Sequence, residues 1–339
     1  MTIELAVIGG GRMAVNHHLP ALRRLMDSGR IDVRPRALVD SNPEQADKVA
    51  GQFGFATTYP SVDALLRDGR PDAALVLTPY WVNETVTAPL LEHGVAVFTE
   101  KPPAMSAAGT RRLAELAERA GVANQVGFNR RYWPPIKTAL DWLAEHDAPL
   151  QAIRATKHRL GRTNEDYAFY TFSHVIDLIL AVAGPATSMQ CLSAPVPGAD
   201  SANLFALIRL AGDCSALASG MPDVGYQQEI YEFHTRRGTV IVDAYWGTDR
   251  PAIVREYVDY DLVREVVLPR GTDRPVIDGF LPQLEAFFDA LAGAAPASPT
   301  LRDCVQTMEL LEALRAGRNW SAGERASEEI PDPALFAPR

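Results

Sequence analysis

The sequence contains little cysteine and no long apolar run. Its three cysteines, Cys191, Cys214 and Cys304, are an odd number without short spacing. This pattern predicts buried or inert thiols in a reducing compartment, and neither a disulfide framework nor a zinc site. No apolar stretch approaches the roughly 18 residues of a membrane span, and the N-terminus lacks a signal-peptide pattern. We therefore expect a cytoplasmic protein, and we predict no metal site because no His, Asp or Glu cluster has ligand spacing.

Positive charge is also scarce, since 33 basic residues face 42 acidic ones and the net charge is -9. Such a protein repels phosphate backbones and anionic lipids, so we expect neither nucleic acid nor a membrane as partner. The length of 339 residues, with 47% hydrophobic and 22% charged, predicts about two globular domains. Lysine is rare and stands out against arginine. The four lysines are Lys48, Lys101, Lys137 and Lys157.

Short β-branched runs alternate with helical patterns in the first part of the chain, which predicts βαβ units and a parallel sheet. The predicted strands are 5–9, 36–40, 73–78, 95–100 and 124–128. From about residue 151, a helix at 174–183 precedes segments typical of antiparallel strands. These segments are 203–210, 215–220, 229–234, 239–243 and 254–259, and two helices follow at 281–294 and 301–316. The predicted class is α/β, with a doubly wound parallel sheet of the Rossmann type in residues 1–125. An α+β domain with a mostly antiparallel open sheet follows in 126–325, and a tail in 326–339.

The first predicted strand ends in a glycine-rich loop that fits G-x-G-x-x-A. Gly9 suits a tight turn, Gly11 permits close approach of a pyrophosphate, and Ala14 permits helix packing on the sheet. Arg12 and Met13 lie inside the same loop and are predicted cofactor contacts. The following helix would direct its N–H groups at the phosphates. A glycine loop alone is a weak signal, but its place between a strand and a helix favours a dinucleotide site.

Asp40 ends the second predicted strand, 26 residues after Ala14. A carboxylate there would accept hydrogen bonds from the ribose and repel a 2′-phosphate, which favours NAD over NADP. Asp40 can instead, or in addition, end a turn at 41–43. Arg12 and Arg36 leave NADP open, because either is able to contact a 2′-phosphate.

Glu100 and Lys101 lie at the carboxyl end of the fourth predicted strand, the edge at which open α/β sheets bind ligands. A partly desolvated lysine in this position can transfer protons near neutral pH. The alternative is an ordinary surface ion pair between the two side chains.

Together with the glycine loop, four further motifs resemble the Gfo/Idh/MocA family of NAD(P)-dependent oxidoreductases in order and spacing along nearly the whole chain. They are Thr78-Pro79, Glu100-Lys101-Pro102, the Gly-Phe-Asn-Arg-Arg-Tyr run at 127–132, and His174-Val175-Ile176-Asp177. The resemblance implies a Rossmann domain followed by a domain that builds the substrate site and an oligomer interface, hence a homodimer or homotetramer. It also implies oxidation or reduction of a carbinol or carbonyl carbon in sugars and cyclitols.

The resemblance assigns roles to individual residues. Lys101 and His174 would act on the reacting oxygen, and the alternative for His174 is a hydrogen-bonded core histidine. Thr78, Pro79 and Glu100 would belong to the cofactor site.

Four more residues are candidate substrate contacts. Lys157 and Arg159 share a strand face and would suit an anionic group, whereas a solvated strand face explains them equally well. Arg130 is a third candidate. Asp177 would orient His174 or the substrate, or else pair with Arg130 or Arg131.

Three positions depart from the family pattern where nicotinamide and substrate should meet. Tyr170 replaces an Asp four residues before His174, Tyr80 replaces an Asn, and Asn83 replaces a His. The Tyr170 phenol can act as proton donor or acceptor, or its ring can form a wall for sugar stacking. The leading hypothesis is a sugar or cyclitol dehydrogenase. A ketone or imine reductase of a specialised biosynthetic pathway and a non-catalytic dinucleotide-binding sensor are the alternatives.

Overall fold

A computed structural model describes residues 2–146, 149–163, 166–245, 250–269, 271 and 273–323. The described chain divides into two units. The first comprises the residues up to Asn129 together with Arg274–Val305, and the second comprises residues 130–273 and those from Gln306 onward.

The first unit is built on a six-stranded parallel sheet with the strand order β3-β2-β1-β4-β5-β6. The strands are β1 Ile3–Ile8, β2 Val33–Val39, β3 Thr57–Tyr59, β4 Ala73–Val76, β5 Ala96–Thr99 and β6 Asn124–Val126. Its helices are α1 Leu19–Asp27, α2 Pro43–Phe53, α3 Val62–Asp68, α4 Asn83–Glu92, α5 Ala107–Ala120, α8 Arg274–Ile277 and α9 Phe280–Leu291. Every residue of β4 and β5 is buried, as expected of central strands covered by helices on both faces. The predicted Rossmann-type sheet is confirmed.

The end of β2 and the start of α2 are defined by local sequence. The Asn42 side chain accepts hydrogen bonds from the N–H groups of Glu44 and Gln45, and Pro43 occupies the first helical position. Gly54, in the left-handed region with φ of 79°, ends the helix. These residues fix where α2 begins, directly after the predicted ribose-binding carboxylate.

The second unit contains a nine-stranded sheet in the order β14-β13-β12-β11-β7-β10-β9-β8-β15. The strands are β7 Ala152–His158, β8 Ala186–Pro195, β9 Ala202–Leu210, β10 Ser215–Met221, β11 Gln228–His234, β12 Gly238–Ala244, β13 Ala252–Val258, β14 Asp261–Leu268 and β15 Trp320–Ser321. The helices are α6 Pro134–His146, α7 Ser173–Ala183 and, apart from its first two residues, α10 Cys304–Arg315. Strands β7 and β10 are parallel and the other described pairs are antiparallel. The predicted mostly antiparallel sheet is confirmed, and α6 and α7 pack on one of its faces.

The two units do not correspond to one cut in the chain, because Arg274–Val305 packs with the N-terminal residues. Helix α9 packs against α1, and its Phe280 ring stacks on His17 with centroids 4.6 Å apart. Aromatic burial therefore draws this late segment to the first unit. The sequence-based limits 1–125 and 126–325 stay predictions, and the tail at 326–339 lies outside the described residues. Among the helices that the structure describes, none is long and apolar enough to cross a bilayer.

Candidate active site

The glycine loop joins β1 to the helical segment that continues into α1. Its two motif glycines have different surroundings. Gly9 has a φ of 97°, and a Cβ there would lie 2.9 Å from the carbonyl oxygen of Leu77. Only glycine fits such a position. A Cβ on Gly11, by contrast, would meet no atom within 4 Å. The loop therefore brings the ends of β1 and β4 together at Gly9 and leaves open space at Gly11, which fits the close approach of a pyrophosphate.

The remaining loop residues line the start of the helix. Arg12 is exposed, Met13 is half-buried, and Ala14 is fully buried against the sheet. The carbonyl oxygen of Gly11 accepts a hydrogen bond from the N–H of Val15 at 3.0 Å, so the helix begins directly after the loop. Its first N–H groups are thus available to an anion.

The strand order places this loop at the point where the sheet is extended in opposite directions, between β1 and β4. Ligands of open α/β sheets bind outside the carboxyl ends of the strands at such a point. Asp40 follows β2, Thr78 and Pro79 follow β4, and Glu100 and Lys101 follow β5. The structure therefore gathers the predicted cofactor residues of the first unit at one edge of its sheet.

Asp40 fastens the glycine loop to the start of α2. Its Oδ2 accepts from the N–H of Gly10 at 2.8 Å, and its Oδ1 accepts from the N–H of Asn42 at 2.9 Å. The Gln45 side chain adds a hydrogen bond of 2.6 Å to the Gly10 carbonyl. The turn role considered for Asp40 is therefore present, and its carboxylate still lies at the end of β2. Its contact with ribose stays a prediction.

Arg36 extends toward the other edge of the sheet. Its guanidinium donates to the carbonyl of Arg70 at 2.9 Å, and a Cβ on Gly69 would lie 3.0 Å from it. Arg70 and Gly69 both precede β4 and therefore mark the edge of the sheet at which its strands begin. This placement speaks against Arg36 as a partner for a 2′-phosphate.

Glu100 is held by a buried histidine. Nε2 of His18 lies 2.7 Å from Oε1 of Glu100, and the N–H of Lys101 donates to Oε2 at 3.1 Å. The His18 ring meets Phe98 and Phe280 edge-on, with centroids 5.4 and 4.9 Å apart. Burial acts to raise the pKa of the Glu100 carboxyl, but the hydrogen bond and charge of His18, together with the Lys101 charge, hold it below its ordinary value. Glu100 is therefore an ionised, buried anchor beside the half-buried Lys101.

Asn83 links two of these loops. Its side chain is fully buried at the start of α4, and its Oδ1 accepts from the hydroxyl of Thr78 at 2.8 Å. Its Nδ2 donates to the carbonyls of Glu100 at 3.0 Å and Pro102 at 2.9 Å. The loop after β4 is thus tied to the loop after β5.

Sequence reasoning singled out Asn83 only as a departure from the family pattern, and it missed His18. The signal for His18 was its position one helical turn after Ala14, on the face that packs on the sheet. Nothing in the local sequence indicates that its partner is Glu100, 82 residues away.

In the second unit, three predicted substrate contacts surround one carboxylate. Glu229 lies 2.8 Å from Arg130, 2.9 Å from Lys157 and 2.8 Å from Arg159, and all four side chains are buried. Lys157 and Glu229 are register partners on β7 and β11, and Arg159 follows two residues later on the same face. The predicted shared face of Lys157 and Arg159 is present. It points into the protein, however, and the anion it contacts is the chain's own Glu229.

Burial and charge act in opposite directions on this cluster. Burial acts to raise the pKa of the Glu229 carboxyl, but the charges of Arg130, Lys157 and Arg159 hold it well below its ordinary value. The pKa of Lys157 is lowered well below its ordinary value by burial and by the Arg130 charge, against the opposing attraction of Glu229. Sequence reasoning missed Glu229. The available signal was that Glu229, a charged residue, lies on the same face of β11 as Tyr231 and Phe233, whose side chains are buried.

Tyr170 and His174 lie on one helical segment of the second unit. A π-helical turn, Ala168–Phe172, runs directly into α7. The N–H of Tyr170 donates to the carbonyl of Asp166 at 2.8 Å, and Arg315 holds the Asp166 carboxylate at 2.9 Å. Tyr170 is half-buried, whereas His174 is 7% exposed. The structure thus fixes the start of the segment that carries both predicted catalytic side chains.

Asp177 forms a two-pronged ion pair with Arg131. Nε of Arg131 donates to Oδ2 at 2.9 Å, and Nη2 donates to Oδ1 at 2.7 Å. Asp177 is fully buried. Of the partners considered for Asp177, Arg131 is therefore one that the structure shows. A substrate contact by Asp177 stays a prediction.

Comparison with known proteins shows what this chain resembles. Residues 3–128 match the sequence profile GFO_IDH_MocA, described as an oxidoreductase family with an NAD-binding Rossmann fold. An inositol 2-dehydrogenase of Paracoccus denitrificans (strain Pd 1222) is 27% identical over 367 aligned positions, covering 99% of this chain and 100% of that protein. A myo-inositol dehydrogenase of Streptomyces leeuwenhoekii is 37% identical over 136 residues, covering 39% of this chain and 38% of that protein.

The fold also has a solved counterpart. Levoglucosan dehydrogenase in complex with NADH and levoglucosan superposes with a TM-score of 0.79 at 17% identity, covering 96% of this chain and 100% of that one. At that identity the likeness concerns the fold alone. The profile's description names NAD, so the predicted cofactor is confirmed. The resemblance to the Gfo/Idh/MocA oxidoreductases is confirmed: residues 3–128 match that family's NAD-binding Rossmann fold, and an inositol 2-dehydrogenase is similar along nearly the whole chain.

Proposed function

We propose that this protein is an NAD-dependent dehydrogenase that transfers a hydride between nicotinamide and a carbinol or carbonyl carbon of a sugar or cyclitol. The observation that carries the proposal is the collection of Gly9, Gly11, Asp40 and Lys101 at the carboxyl edge of one parallel sheet. Lys101 follows β5 directly after the anchored Glu100. A lysine at this position can take part in proton transfer beside a bound dinucleotide.

Each residue has a proposed role. Gly9 and Gly11 admit the pyrophosphate, the N–H groups after Gly11 bind it, and the Asp40 carboxylate receives the ribose hydroxyls. Lys101 and His174 act on the reacting oxygen, holding it or moving its proton.

Tyr170 has two proposed roles that a single substitution separates. Tyr170→Phe keeps the ring and removes the hydroxyl. If the phenol transfers a proton, we expect turnover to fall about 10²-fold or more. If the ring forms a wall for a sugar, we expect turnover to change little.

The substrate class is supported by the relatives. The two similar sequences are named as dehydrogenases of inositols, and the solved counterpart is named for levoglucosan, so each acts on a ring that bears hydroxyl groups. Tyr80, Asn83 and Tyr170 replace polar residues of the family pattern. These replacements favour, as a second candidate, a ketone or imine reductase of a specialised biosynthetic pathway.

The test follows nicotinamide absorbance while the protein meets NAD or NADP with myo-inositol, levoglucosan and simple glucosides, or NADH or NADPH with keto-sugars. Lys101→Met should lower turnover by about 10²- to 10⁴-fold. Lys137→Met is the matched control, because Lys137 is exposed and pairs with Asp141 one helical turn away. It should keep the rate of the unaltered protein.

Two outcomes contradict the proposal. Full activity in Lys101→Met would remove that residue from the chemistry. Tight NADH binding, measured by nicotinamide fluorescence, without turnover of any sugar, cyclitol, ketone or imine would favour the dinucleotide-binding sensor.

A further inference from the structure

We propose that Asn83 is a positioning residue for Lys101, acting through the two backbone carbonyls that flank the lysine. This inference rests on the proposed function of Lys101 and gives a role to Asn83, which the sequence marked only as a departure from the family pattern. It arises from the hydrogen bonds of one buried carboxamide.

The geometry places Asn83 on both sides of Lys101. Its Nδ2 donates to the carbonyl of Glu100, one residue before the lysine, at 3.0 Å and to that of Pro102, one residue after it, at 2.9 Å. Both donor hydrogens of the amide are thereby used. Because each carbonyl is part of a planar peptide unit, fixing both orients the backbone from which the Lys101 side chain leaves.

The side chain of Glu100 makes a second contact that fixes the same backbone. The carboxylate that His18 holds accepts the N–H of Lys101 at 3.1 Å. The N–H of Lys101 and the carbonyls before and after it are therefore all anchored to buried side chains. Such support lets a catalytic group keep its position without reorganisation.

The other end of Asn83 connects Lys101 to the loop after β4. Its Oδ1 accepts from the hydroxyl of Thr78, a predicted cofactor contact, at 2.8 Å. One side chain thus sets the spacing between a cofactor loop and the lysine. A carboxamide suits this position, because it offers two donors on one atom and an acceptor on the other, whereas the neutral His of the family pattern offers a single N–H donor and one acceptor nitrogen.

Asn83→Asp tests the inference with little change in shape. The introduced carboxylate still accepts from Thr78 and loses both donors to the carbonyls. We expect kcat to fall about 10- to 100-fold, with a smaller change in KM for NAD, because a displaced catalytic group lowers the rate more than it lowers binding. Acidification should recover part of kcat relative to the unaltered protein, because the protonated carboxyl regains one donor.

Gln125→Glu is the matched control. Gln125 is fully buried on β6 in the same unit, and its Nε2 donates to a backbone carbonyl, that of Gln283, at 2.8 Å. The change is again from amide to carboxyl and carries a similar cost of burial. It should lower the thermal midpoint as Asn83→Asp does while keeping kcat.

A readout independent of turnover comes from the scarcity of lysine. Protein labelled with [15N]lysine has four lysine backbone amides, and Lys101→Met identifies the signal of interest. We expect the Lys101 amide of the cofactor-free protein to exchange hydrogen about 10-fold faster or more in Asn83→Asp and at the original rate in Gln125→Glu. Asn83→His, which restores the family residue, should fall between the two.

The outcomes separate the two proposals. Unchanged Lys101 exchange in Asn83→Asp and Asn83→His overturns the positioning role. So does a loss of kcat that Gln125→Glu reproduces in full. Activity of Lys101→Met equal to that of the unaltered protein overturns the proposed function of Lys101 instead, whatever the exchange data show.

Discussion

Nε2 of His18 lies 2.7 Å from Oε1 of Glu100, and both side chains are buried. The pair joins the helix after the glycine loop to the end of β5. This hydrogen bond therefore helps to hold the proposed phosphate-binding element and the candidate catalytic loop in one spatial arrangement.

Breaking this pair should cost stability. We expect His18→Leu to lower the free energy of unfolding by about 3 kcal/mol, because it leaves the Glu100 carboxylate buried without that partner. The double variant His18→Leu/Glu100→Gln should lose less free energy of unfolding than the sum of the losses in the two single variants. Urea unfolding of the four proteins measures the coupling. Additive losses would contradict a direct interaction.

The same pair predicts a pH dependence. The pKa of Glu100 is lowered in the folded protein, so its contribution is present above the ordinary carboxyl range and is lost as pH falls through the lowered pKa. In His18→Leu, burial raises the pKa of Glu100 and His18 no longer opposes this rise. Acidification should therefore protonate the buried carboxylate and reduce the destabilisation of the variant. We expect the stability difference between the two proteins to shrink from about pH 7 to about pH 4. Urea midpoints across this range measure it, and a constant difference would contradict the assignment.

The two motif glycines should respond differently to alanine. Gly9→Ala forces a Cβ to 2.9 Å from the Leu77 carbonyl at a φ of 97°, so we expect a loss of about 1 to 3 kcal/mol in stability. Gly11→Ala meets open space and should cost less than about 1 kcal/mol. It should nevertheless weaken NADH binding about 10-fold or more, because the methyl group occupies the approach of the pyrophosphate. Thermal unfolding and NADH fluorescence separate the effects, and equal affinity in Gly11→Ala would refute that placement.

Asp40 should govern the choice of cofactor. Asp40→Asn removes the charge that holds the N–H of Gly10 and that we propose receives the ribose, so we expect NADH affinity to fall about 10-fold and the preference for NADH over NADPH to become smaller. Asp47→Asn, an exposed change on α2 where Asp47 pairs with Thr58, is the control. Binding titrations with both cofactors measure the effect. Tighter binding of NADPH than of NADH by the unaltered protein would overturn the assignment.

The Glu229 cluster should depend on its carboxylate more than on any one cation. Glu229→Gln leaves Arg130, Lys157 and Arg159 buried together without their shared anion, and we expect a loss of about 3 to 5 kcal/mol. Glu232→Gln, on the same strand but paired with an exposed arginine, should cost about 1 kcal/mol or less.

Lys157→Met extends this test. It should cost less than Glu229→Gln, since it removes one of three cations that repel one another. Chemical denaturation orders the variants, and a Lys157→Met loss as large as that of Glu229→Gln would show that the lysine is not in excess.

Sequence reasoning located most of the sheet strands within a few residues, because buried β-branched runs and glycine turns are local features. Its predicted bounds left out β3, which has three residues, and β7, β8, β15 and the edge strand β14 of the second sheet. Nearly every side chain of β14 is exposed, so it lacks the alternation that marks a half-buried strand. Main-chain pairing with β13 creates this strand, and such pairing leaves no pattern in a single segment.

The candidate site shows the same division. By itself, the sequence determined the glycine loop, the carboxylate after β2, the lysine after β5 and the His-x-x-Asp helix, because each depends on spacing within one strand–turn–helix segment. Only the tertiary structure decided that Asn83 joins two loops, that His18 holds Glu100, and that Glu229 forms ion pairs with Lys157 and Arg159. These contacts link residues that folding brings together from separate strands and helices. Partners for buried polar groups are therefore settled by packing, because each must find a hydrogen bond where the completed fold supplies one.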